Sequence, residues 1–562
     1  MTAMRPRATD ALAGCTASAF AALLCASLSA IGHPIDAGAA HGTSAAQHRS
    51  GANLELGARH ESVAARPGYG AHCASPAPRL ERGLGTLHHP VSTRVALAQR
   101  YFDQGLAYVY AFNHQEAVRS FRHAAALDPQ LAIARWGIAL ALGPNYNAPD
   151  VGDAAIEARA ELEQSSAIAA RNAATTPLER ELIAALALRF ADQPDAKTIA
   201  PGDAYAHAMR EIARQHPDDP DAQTLFADAM MTPRAWRMWN RDGTAATGTD
   251  EIVATLERVL ARHPDHIGAN HLYIHAVEAS PDPARALPSA DRLSMLAPSA
   301  GHLLHMPAHI YDRVGEHAKA ARANAAAIAA DRAYFATLRG SNPYSGYFRH
   351  NLGFLAVAHA NAGNYRAAMQ AAQAFAKDVA KSVPSIPHLE RYLPAPTLIA
   401  VKFERWNDVS KLPPPPRETA SLRAVWHFAQ GMAQAAKGRL AAAERERENL
   451  GALIDAMPDG ESWARNDARD VFRVASGLLD GKIALLRGDP VVAAARFEAA
   501  ARAQDALAYD EPAPWIIPPR EAWGELLLAQ GDRAGAERVL RDEQRLRPGS
   551  FRTLALLRRL GR

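Results

Sequence analysis

Cysteine is nearly absent from this sequence, with three residues among 562. Cys15 and Cys25 fall in a predicted export signal, so the mature chain would keep Cys73 alone. A single cysteine forms no internal disulfide and cannot build a cysteine-rich metal site. Any metal site in the mature protein must therefore use other ligands.

Signatures of the common function classes are also missing. Lys and Arg total 62 against 59 Asp and Glu, which leaves a net charge of +3 and no long run of one sign. This excludes a basic stripe for nucleic acid, so we expect no nucleic-acid partner. The string HLYIH lacks the Glu of an HExxH zinc site, and neither a P-loop nor a G-x-S-x-G elbow occurs. The sequence therefore points to no familiar enzyme class.

The N-terminal residues are typical of an export signal. Arg5 and Arg7 precede an apolar run at 17–31, and Ala37-Gly38-Ala39 offers an A-x-A cleavage site. We predict a signal over 1–39 and a periplasmic or secreted protein. No later segment reaches the roughly 20 apolar residues of a membrane helix, so we expect no membrane insertion of the mature chain.

The remaining chain divides into a leader and a helical body. Residues 40–90 are rich in Gly, Ala, Ser, Pro and His without periodicity, which predicts a flexible leader. From Val91 onward, amphipathic stretches of helical period are separated by Asp-Pro and Gly-Asn or Gly-Asp turns. We predict an all-α fold with one array of helices over 91–381 and a second over 382–562.

A repeat of about 34 residues runs through the helical body. In the unit that starts at Ala98, small residues, an aromatic residue and a proline occupy the places that the tetratricopeptide repeat (TPR) requires. These are Gly105, Tyr108, Ala117, Phe121, Ala124 and Pro129. Further units start at Ile267, Gly301, Val474 and Ile517. The sequence predicts a TPR-like superhelical solenoid of antiparallel helix pairs with inserted loops.

The repeat register aligns a set of histidines. His271 and His275 occupy the positions that His305 and His309 occupy in the next repeat, 34 residues later. Three more residues share the same first helices of their repeats, namely Glu278, His302 and His350. Spacings of 3, 4 and 7 place each set on one helix face. The TPR resemblance implies that these positions face the concave groove, where neighbouring helices about 8–10 Å apart bring them together.

This constellation predicts a transition-metal site. The proposed ligands are His271, His275, Glu278, His302, His305, His309 and His350. Histidines with one carboxylate suit Zn, Cu, Fe or Mn, and several imidazoles that all became protonated would repel one another without a metal. Glu278 is either a ligand or the general base of a metal-dependent reaction. For each histidine taken singly, the alternatives are a structural role or contact with an acidic or peptide ligand.

Other segments give weaker indications. The insertion at 232–248, with Trp236 and Trp239, either folds over the groove or packs on the surface. His88 and His89 either fold back onto the groove or stay exposed. Two groups are expected to have structural roles: Asn113 and His114 cap the second helix of a repeat, and Asn145 and Asn147 form a turn. We expect packing and ion pairing from Asp510, Glu511, Trp515 and Arg520.

The strings NHLYIHAVEAS and GHLLHMPAHIYDRVG resemble a group of exported bacterial TPR proteins, and the resemblance spans 87–546. It implies the TPR fold and a single histidine constellation, and it brings no established reaction. Our leading hypothesis is an exported metalloprotein with its site in the groove, acting in oxidative or hydrolytic chemistry on a small molecule. The alternatives are a scaffold whose groove binds a peptide or protein partner, and a periplasmic metal carrier.

Overall fold

A computed structural model describes residues 77–191, 200–338, 344–416 and 419–561. The predicted export signal, 1–39, and the predicted leader before residue 77 lie outside these residues. Within the described ranges, no helix is both long and apolar enough to cross a lipid bilayer.

The described residues are almost entirely helical. The first half contains α1 (Ala96–Tyr110), α2 (His114–Leu127), α3 (Ala132–Leu142), α4 (Ala154–Arg171), α5 (Pro177–Leu188), α6 (Pro201–Gln215), α7 (Pro220–Met231), α8 (Thr249–Arg262), α9 (Ile267–Val277), α10 (Leu287–Leu296), α11 (Gly301–His305), α12 (Pro307–Arg313) and α13 (His317–Phe335). The second half contains α14 (Ser345–Asn361), α15 (Tyr365–Ser382), α16 (Ala395–Lys402), α17 (Trp406–Val409), α18 (Ala420–Ala436), α19 (Leu440–Asp455), α20 (Ala468–Leu486), α21 (Pro490–Asp505), α22 (Pro519–Ala529), α23 (Arg533–Leu546) and α24 (Phe551–Leu560). Short 3₁₀ helices cover Thr232–Arg234, Pro283–Ala286 and Pro387–Tyr392, and β1 (Ser462–Trp463) pairs antiparallel with β2 (Asn466–Asp467).

The repeat positions pack as the sequence predicts. A Cβ atom added at Gly105 of α1 or at Gly137 of α3 would lie 2.6 Å from the ring of Phe121. The ring of α2 therefore fills the space between one helix pair and the next, which only glycine leaves open. In the same way, a Cβ atom added at Gly524 of α22 would lie 2.7 Å from the side chain of Leu540 of α23. The fold is an all-α, TPR-like solenoid with inserted loops, as predicted.

Four of the described turns between paired helices share one chemistry. A residue of positive φ ends the first helix, and an Asn or Asp side chain then caps the second by accepting a backbone N–H. These pairs are Phe112 with Asn113, Gly363 with Asn364, Gly488 with Asp489 and Gly531 with Asp532. Asn113 caps α2 as predicted. Phe112, at φ 52°, holds a left-handed position that is glycine in the other three pairs.

The two histidine-bearing repeats are α9 with α10, and α11 and α12 with α13. In the second repeat the first helix is divided, because Pro307 has no N–H to continue the hydrogen bonding. Met306 at the junction keeps helical torsion angles, φ −50° and ψ −38°. His305 and His309 thus stay on one continuous face across the break.

The C-terminal helices lie against residues from the middle of the chain. The ring of His317, at the start of α13, hydrogen-bonds through Nε2 to the carbonyl oxygen of Pro548 at 2.9 Å. A Cβ atom added at Gly315 would lie 3.0 Å from the backbone nitrogen of Gly549. This curvature brings the β1–β2 hairpin and the loop 506–518 to the first helices of the histidine repeats.

Residues 77–90 contain neither helix nor strand and lie along α1. The backbone N–H of Glu81 donates to Gln104 at 2.7 Å, and the Gln104 amide donates to the carbonyl oxygen of Arg79 at 3.0 Å. The Tyr101 hydroxyl donates to Pro78 at 2.8 Å, and Leu84 is buried in the core. These described residues of the predicted leader are therefore packed against the solenoid.

Candidate metal centre

The seven residues singled out from the sequence come together in one buried cluster. His271 and His275 lie on α9, and Glu278 directly follows that helix. The next repeat supplies His302, His305 and His309 from α11 and α12, and α14 supplies His350. All are 0–2 % exposed except His350, which is partly buried. From the sequence we expected these side chains to line the surface of the concave groove, whereas in the structure they are enclosed by protein.

The first three-histidine group, here called triad A, consists of His271, His275 and His302. One ring nitrogen of each lies within 4.8 Å of ring nitrogens of the other two. The Nε2 atoms of His271 and His302 are 3.1 Å apart. His275 Nε2 and His302 Nδ1 are buried without a hydrogen-bond partner among the described residues. Unpartnered buried nitrogens are rare in folded proteins, which makes these two atoms candidates for a functional contact.

The second group, triad B, consists of His305, His309 and His350. His305 Nε2 is 2.7 Å from His309 Nε2 and 3.0 Å from His350 Nε2. Three imidazoles from three helical segments therefore converge at their Nε2 atoms. Ligands of a tetrahedral ion bound at about 2.0–2.1 Å stand about 3.3 Å apart, so a small expansion of triad B would admit one.

Glu278 connects the two triads. Its Oε1 lies 3.1 Å from Nδ1 of His275, and its Oε2 lies 2.7 Å from Nδ1 of His309. The three residues also form a group whose ligand atoms fall within 4.8 Å. One carboxylate can thus accept a hydrogen bond from Nδ1 of one histidine in each triad. This leaves Nε2, on the other side of each ring, directed away from the carboxylate.

Outer hydrogen bonds fix two further rings. The carbonyl oxygen of Tyr110 lies 2.6 Å from His271 Nδ1, and the side-chain oxygen of Asn324 lies 2.7 Å from His305 Nδ1. The Asn324 amide nitrogen donates to the Ala320 carbonyl oxygen at 2.9 Å, which assigns its oxygen to His305. Both partners accept only, so each Nδ1 carries the proton and each Nε2 presents a lone pair. Gly268 permits this approach, since a Cβ atom there would lie 2.5 Å from the Tyr110 ring.

Burial controls the charge of the histidines. It lowers the pKa of His271, His275, His302 and His305 well below the ordinary value, with neighbouring imidazoles adding to the effect. The same cause lowers the pKa of His350 to about 3. These five rings are therefore neutral near pH 7, which is the form that binds metals.

The pKa of His309 shifts in the opposite direction from those of the other five histidines. Burial lowers its pKa, but the carboxylates of Glu511 and Glu278 outweigh burial and raise the pKa to about 10. Burial, followed by the charge of Glu278, raises the pKa of Glu511 to about 7, and burial also raises that of Glu278. The cluster of described groups thus holds two carboxyl groups that favour a cation beside them.

Glu511 is a site residue that the sequence did not reveal. It was expected to serve packing and ion pairing, but its Oε2 contacts Nδ1 of His309. It reaches the site from the loop that precedes α22 in the C-terminal array. The expected structural roles are confirmed for two of its neighbours, since Trp515 is 1 % exposed and Arg520 pairs with Asp505 at 2.5 Å.

Aromatic rings enclose triad A. The Phe112 ring lies 4.5 Å from that of His271 and 5.3 Å from that of His302, centroid to centroid. Tyr146 lies 4.7 Å from His275, and Tyr347 lies 4.6 Å from His302. One indication of this shell is present in the sequence. Phe112 occupies a turn position that favours glycine, and packing must compensate for the strained backbone there.

The tryptophan-bearing loop folds over the cluster. Trp236 lies 5.9 Å from the ring of His275 and 5.1 Å from that of Tyr146. On its other side, the guanidinium carbon of Arg465, between β1 and β2, is 3.5 Å from the centre of the indole ring. Trp236 and Ala464 both have positive φ, 63° and 55°. The stacked Trp236 and Arg465, here called the clasp, connect the insertion at 232–248 to the β1–β2 hairpin beside the site.

The remaining sequence candidates stay outside the cluster. His88 is exposed and pairs with Asp103 at 2.9 Å, whereas His89 is buried and bonds Asp221 at 2.9 Å. Asp221 also accepts from the ring of His266 at 3.0 Å, so it is satisfied without a metal. Asn145 forms the predicted turn by accepting the backbone N–H of Ala148 at 3.0 Å.

No protein-family model matches the chain, and no curated protein matches it. Among solved structures, human IFIT1 with m7Gppp-AAAA is similar at 14 % identity over 73 % of this chain and 91 % of that chain, with a TM-score of 0.33. Yeast Tom70 is similar at 11 % identity over 83 % and 95 %, with a TM-score of 0.29. The TPR domain of P58(IPK) gives 13 % identity over 80 % and 99 %, with a TM-score of 0.21. Scores this low carry no functional argument.

Proposed function

We propose that this protein is a metalloprotein whose histidine cluster binds transition-metal ions. The observation that carries the proposal is the pair of Nε2 atoms of His305 and His309, 2.7 Å apart. Asn324 holds the proton of His305 on Nδ1, and the carboxylates hold a proton on Nδ1 of His309. Two lone pairs at this distance repel unless a cation lies between them. Either a proton on Nε2 of His309 or a metal ion between the rings would remove this repulsion. His350 directs a third imidazole at the same point, which favours the metal.

The ligand set narrows the identity of the metal. Zn, Cu, Fe and Mn all bind imidazole, but Mn prefers carboxylate and water, and non-haem Fe commonly takes a carboxylate beside two histidines. Each triad can be completed with imidazole alone, because the described contacts of Glu278 are with Nδ1 atoms. We therefore favour zinc or copper.

The proposal extends to catalysis on a small molecule. The aromatic shell and the 0–2 % exposure of the ligands other than His350 favour a substrate no larger than a few atoms. When bound, the metal supplies Lewis acidity for hydrolytic chemistry or electron transfer for oxidative chemistry. The chain's own contribution is to exclude bulk water and to hold a proton near the site. Glu511 suits the second task, since its buried carboxyl group contacts Nδ1 of His309 beside triad B.

Export remains part of the proposal on the strength of the N-terminal sequence alone. A periplasmic or secreted location, and membership of the exported bacterial group that the histidine strings resemble, stay predictions. Fractionation of cells that express the full chain tests the location. Accumulation of the full-length precursor in the cytoplasm would contradict it.

The metal proposal is tested by elemental analysis of tag-free protein purified without added metal and again after incubation with zinc or copper(I). The test variant is His275→Ala with His309→Ala, which removes one ligand of each triad. The matched control is His216→Ala with His427→Ala, two histidines that each pair with a glutamate outside the cluster. We expect metal in the parent and the control and none in the test variant. Equal metal in all three proteins would refute the site.

The scaffold and carrier alternatives make different predictions. Buried histidines offer no surface to a peptide, so a scaffold would use other parts of the solenoid, such as the cavity of about 300 Å³ beside Arg502, Arg520 and Trp523. Partner binding would then survive the His275→Ala, His309→Ala substitutions. A carrier would release its metal rapidly to a chelator, whereas the enclosed cluster predicts slow release.

A further inference from the structure

The outer hydrogen bonds divide the cluster into two equivalent halves. In triad A, the Tyr110 carbonyl and Glu278 occupy the Nδ1 atoms of His271 and His275. In triad B, Asn324 and Glu278 occupy those of His305 and His309. Acceptors at Nδ1 select Nε2 as the metal-binding nitrogen. In each triad, two of the three rings thus present Nε2 to a metal, and Glu278 contacts one ring of each triad.

We infer that the cluster binds two metal ions, one in triad A and one in triad B, with Glu278 outside both coordination spheres. The inference rests on the proposed metal function and goes further by fixing the number of ions and the role of the carboxylate. Six Nε2 atoms exceed the needs of one ion, since transition metals with imidazole ligands commonly take three or four protein ligands.

The electrostatics of the cluster support two ions. The imidazole ligands are neutral when they bind metal, so the charge of the ions must be balanced from outside the triads. Glu278 and Glu511 are both buried, and both place a carboxyl group against Nδ1 of His309, where it can balance the charge of a bound cation. Glu278 also contacts His275, so its charge is shared between the triads. A carboxylate that takes this outer position orients two ligands and partly neutralises two ions.

Because Glu278 lies outside both coordination spheres in this arrangement, the coordination sites left open indicate the class of ligand. Two ions held only by imidazole on the protein side keep open coordination sites, and the rings of His275 and His309 lie 5.6 Å apart where the triads meet. The shell of Phe112, Tyr146 and Trp236 leaves this junction sheltered. The ligand that fits is a small molecule that can contact both ions, of the size of water, dioxygen or cyanide.

Metal stoichiometry tests the inference with zinc as the probe. The parent, His302→Gln and His350→Gln proteins are each incubated with excess zinc, desalted and analysed, and their folding is checked by circular dichroism and thermal unfolding. We expect two equivalents in the parent, one in each single variant and none in a variant that combines His302→Gln with His350→Gln. One equivalent in the parent, lost completely in each single variant, would overturn the two-ion inference and leave the metal proposal standing. An absence of bound zinc in the parent would instead refute the metal proposal itself.

Glu278→Gln tests the role of the carboxylate separately. If Glu278 lies outside the coordination spheres, the variant keeps two equivalents of zinc and loses about 10- to 100-fold in affinity, as outer-shell changes commonly do. Loss of a whole equivalent at saturating zinc would make Glu278 a ligand and overturn its assignment. Either single-histidine variant that lost both ions would show that the triads are not separate sites.

Discussion

Asn324 offers a sharp test of the outer hydrogen bonds, because it acts on the metal only through His305. We predict that Asn324→Leu, which keeps the side-chain volume, weakens metal binding about 10- to 100-fold, or about 1.4–2.7 kcal/mol. Its oxygen accepts from His305 Nδ1 at 2.7 Å, and no other partner holds that proton among the described contacts. The same change leaves a buried N–H unpaired, which costs the metal-free protein about 1–3 kcal/mol.

Two measurements separate these effects. Competition with a chromophoric chelator gives the metal affinity, and urea unfolding of the metal-free protein gives the stability. Gln223→Met is the matched control, since the Gln223 amide is buried and donates to the Ala213 carbonyl oxygen at 2.6 Å, away from the cluster. The control should lose stability with unchanged affinity. If Asn324→Leu also binds zinc as tightly as the parent, His305 is not a ligand through Nε2 and the reasoning fails.

Three further predictions concern pH, access and packing. Burial lowers the pKa of His302 in the folded protein below its value of about 6.5 in the unfolded chain. As the pH falls through 6.5, only the unfolded chain takes up this proton, so the folded protein loses stability; above that pH the penalty is absent. The metal-free protein should therefore lose stability between pH 7 and 5, and His302→Gln should show a slope smaller by about one proton; equal slopes would contradict this. Trp236→Ala and Arg465→Ala should keep the metal stoichiometry but speed its extraction by a chelator about 2- to 30-fold, the range of a cation–π contact of 0.5–2 kcal/mol; unchanged rates would show that the clasp does not limit access. Gly268→Ala should cost about 1–3 kcal/mol in urea unfolding and weaken metal binding, since its Cβ meets the neighbouring tyrosine ring at 2.5 Å. Gly451→Ala, whose Cβ meets open space on α19, should instead stabilise the protein by about 0.5–1 kcal/mol, as alanine does in a helix interior; a similar loss of stability in both variants would refute the close approach.

The parts of the site that the sequence predicted are those that follow from repeat geometry. A spacing of 34 residues between His271 and His305, and between His275 and His309, places equivalent side chains on neighbouring helices. Helical period then joins His302 to the same face. This reasoning needs only the register of adjacent repeats, and the structure brings these residues together as expected.

Two features of the site could not be predicted from the sequence. The position of Glu511 depends on the long-range curvature of the solenoid, and the contacts of Glu278 depend on which ring nitrogen forms the hydrogen bond. Glu511 reaches His309 because the whole solenoid returns upon itself, and no local pattern encodes that path. Glu278 was placed in the cluster correctly, but its contacts with Nδ1 rather than Nε2 follow from side-chain geometry. Phe112 could have been noticed from its place in a turn where related repeats carry glycine.

X-ray absorption spectroscopy of the zinc-loaded or copper-loaded protein tests the central claim most directly. A cluster that binds metal through imidazole predicts a first shell of nitrogen at about 2.0–2.1 Å, with the outer-shell scattering of about three imidazole rings for each ion. The His275→Ala, His309→Ala protein should give no such spectrum. A first shell dominated by oxygen without imidazole scattering, or the same spectrum in the parent and in this variant, would place the metal elsewhere and contradict the account.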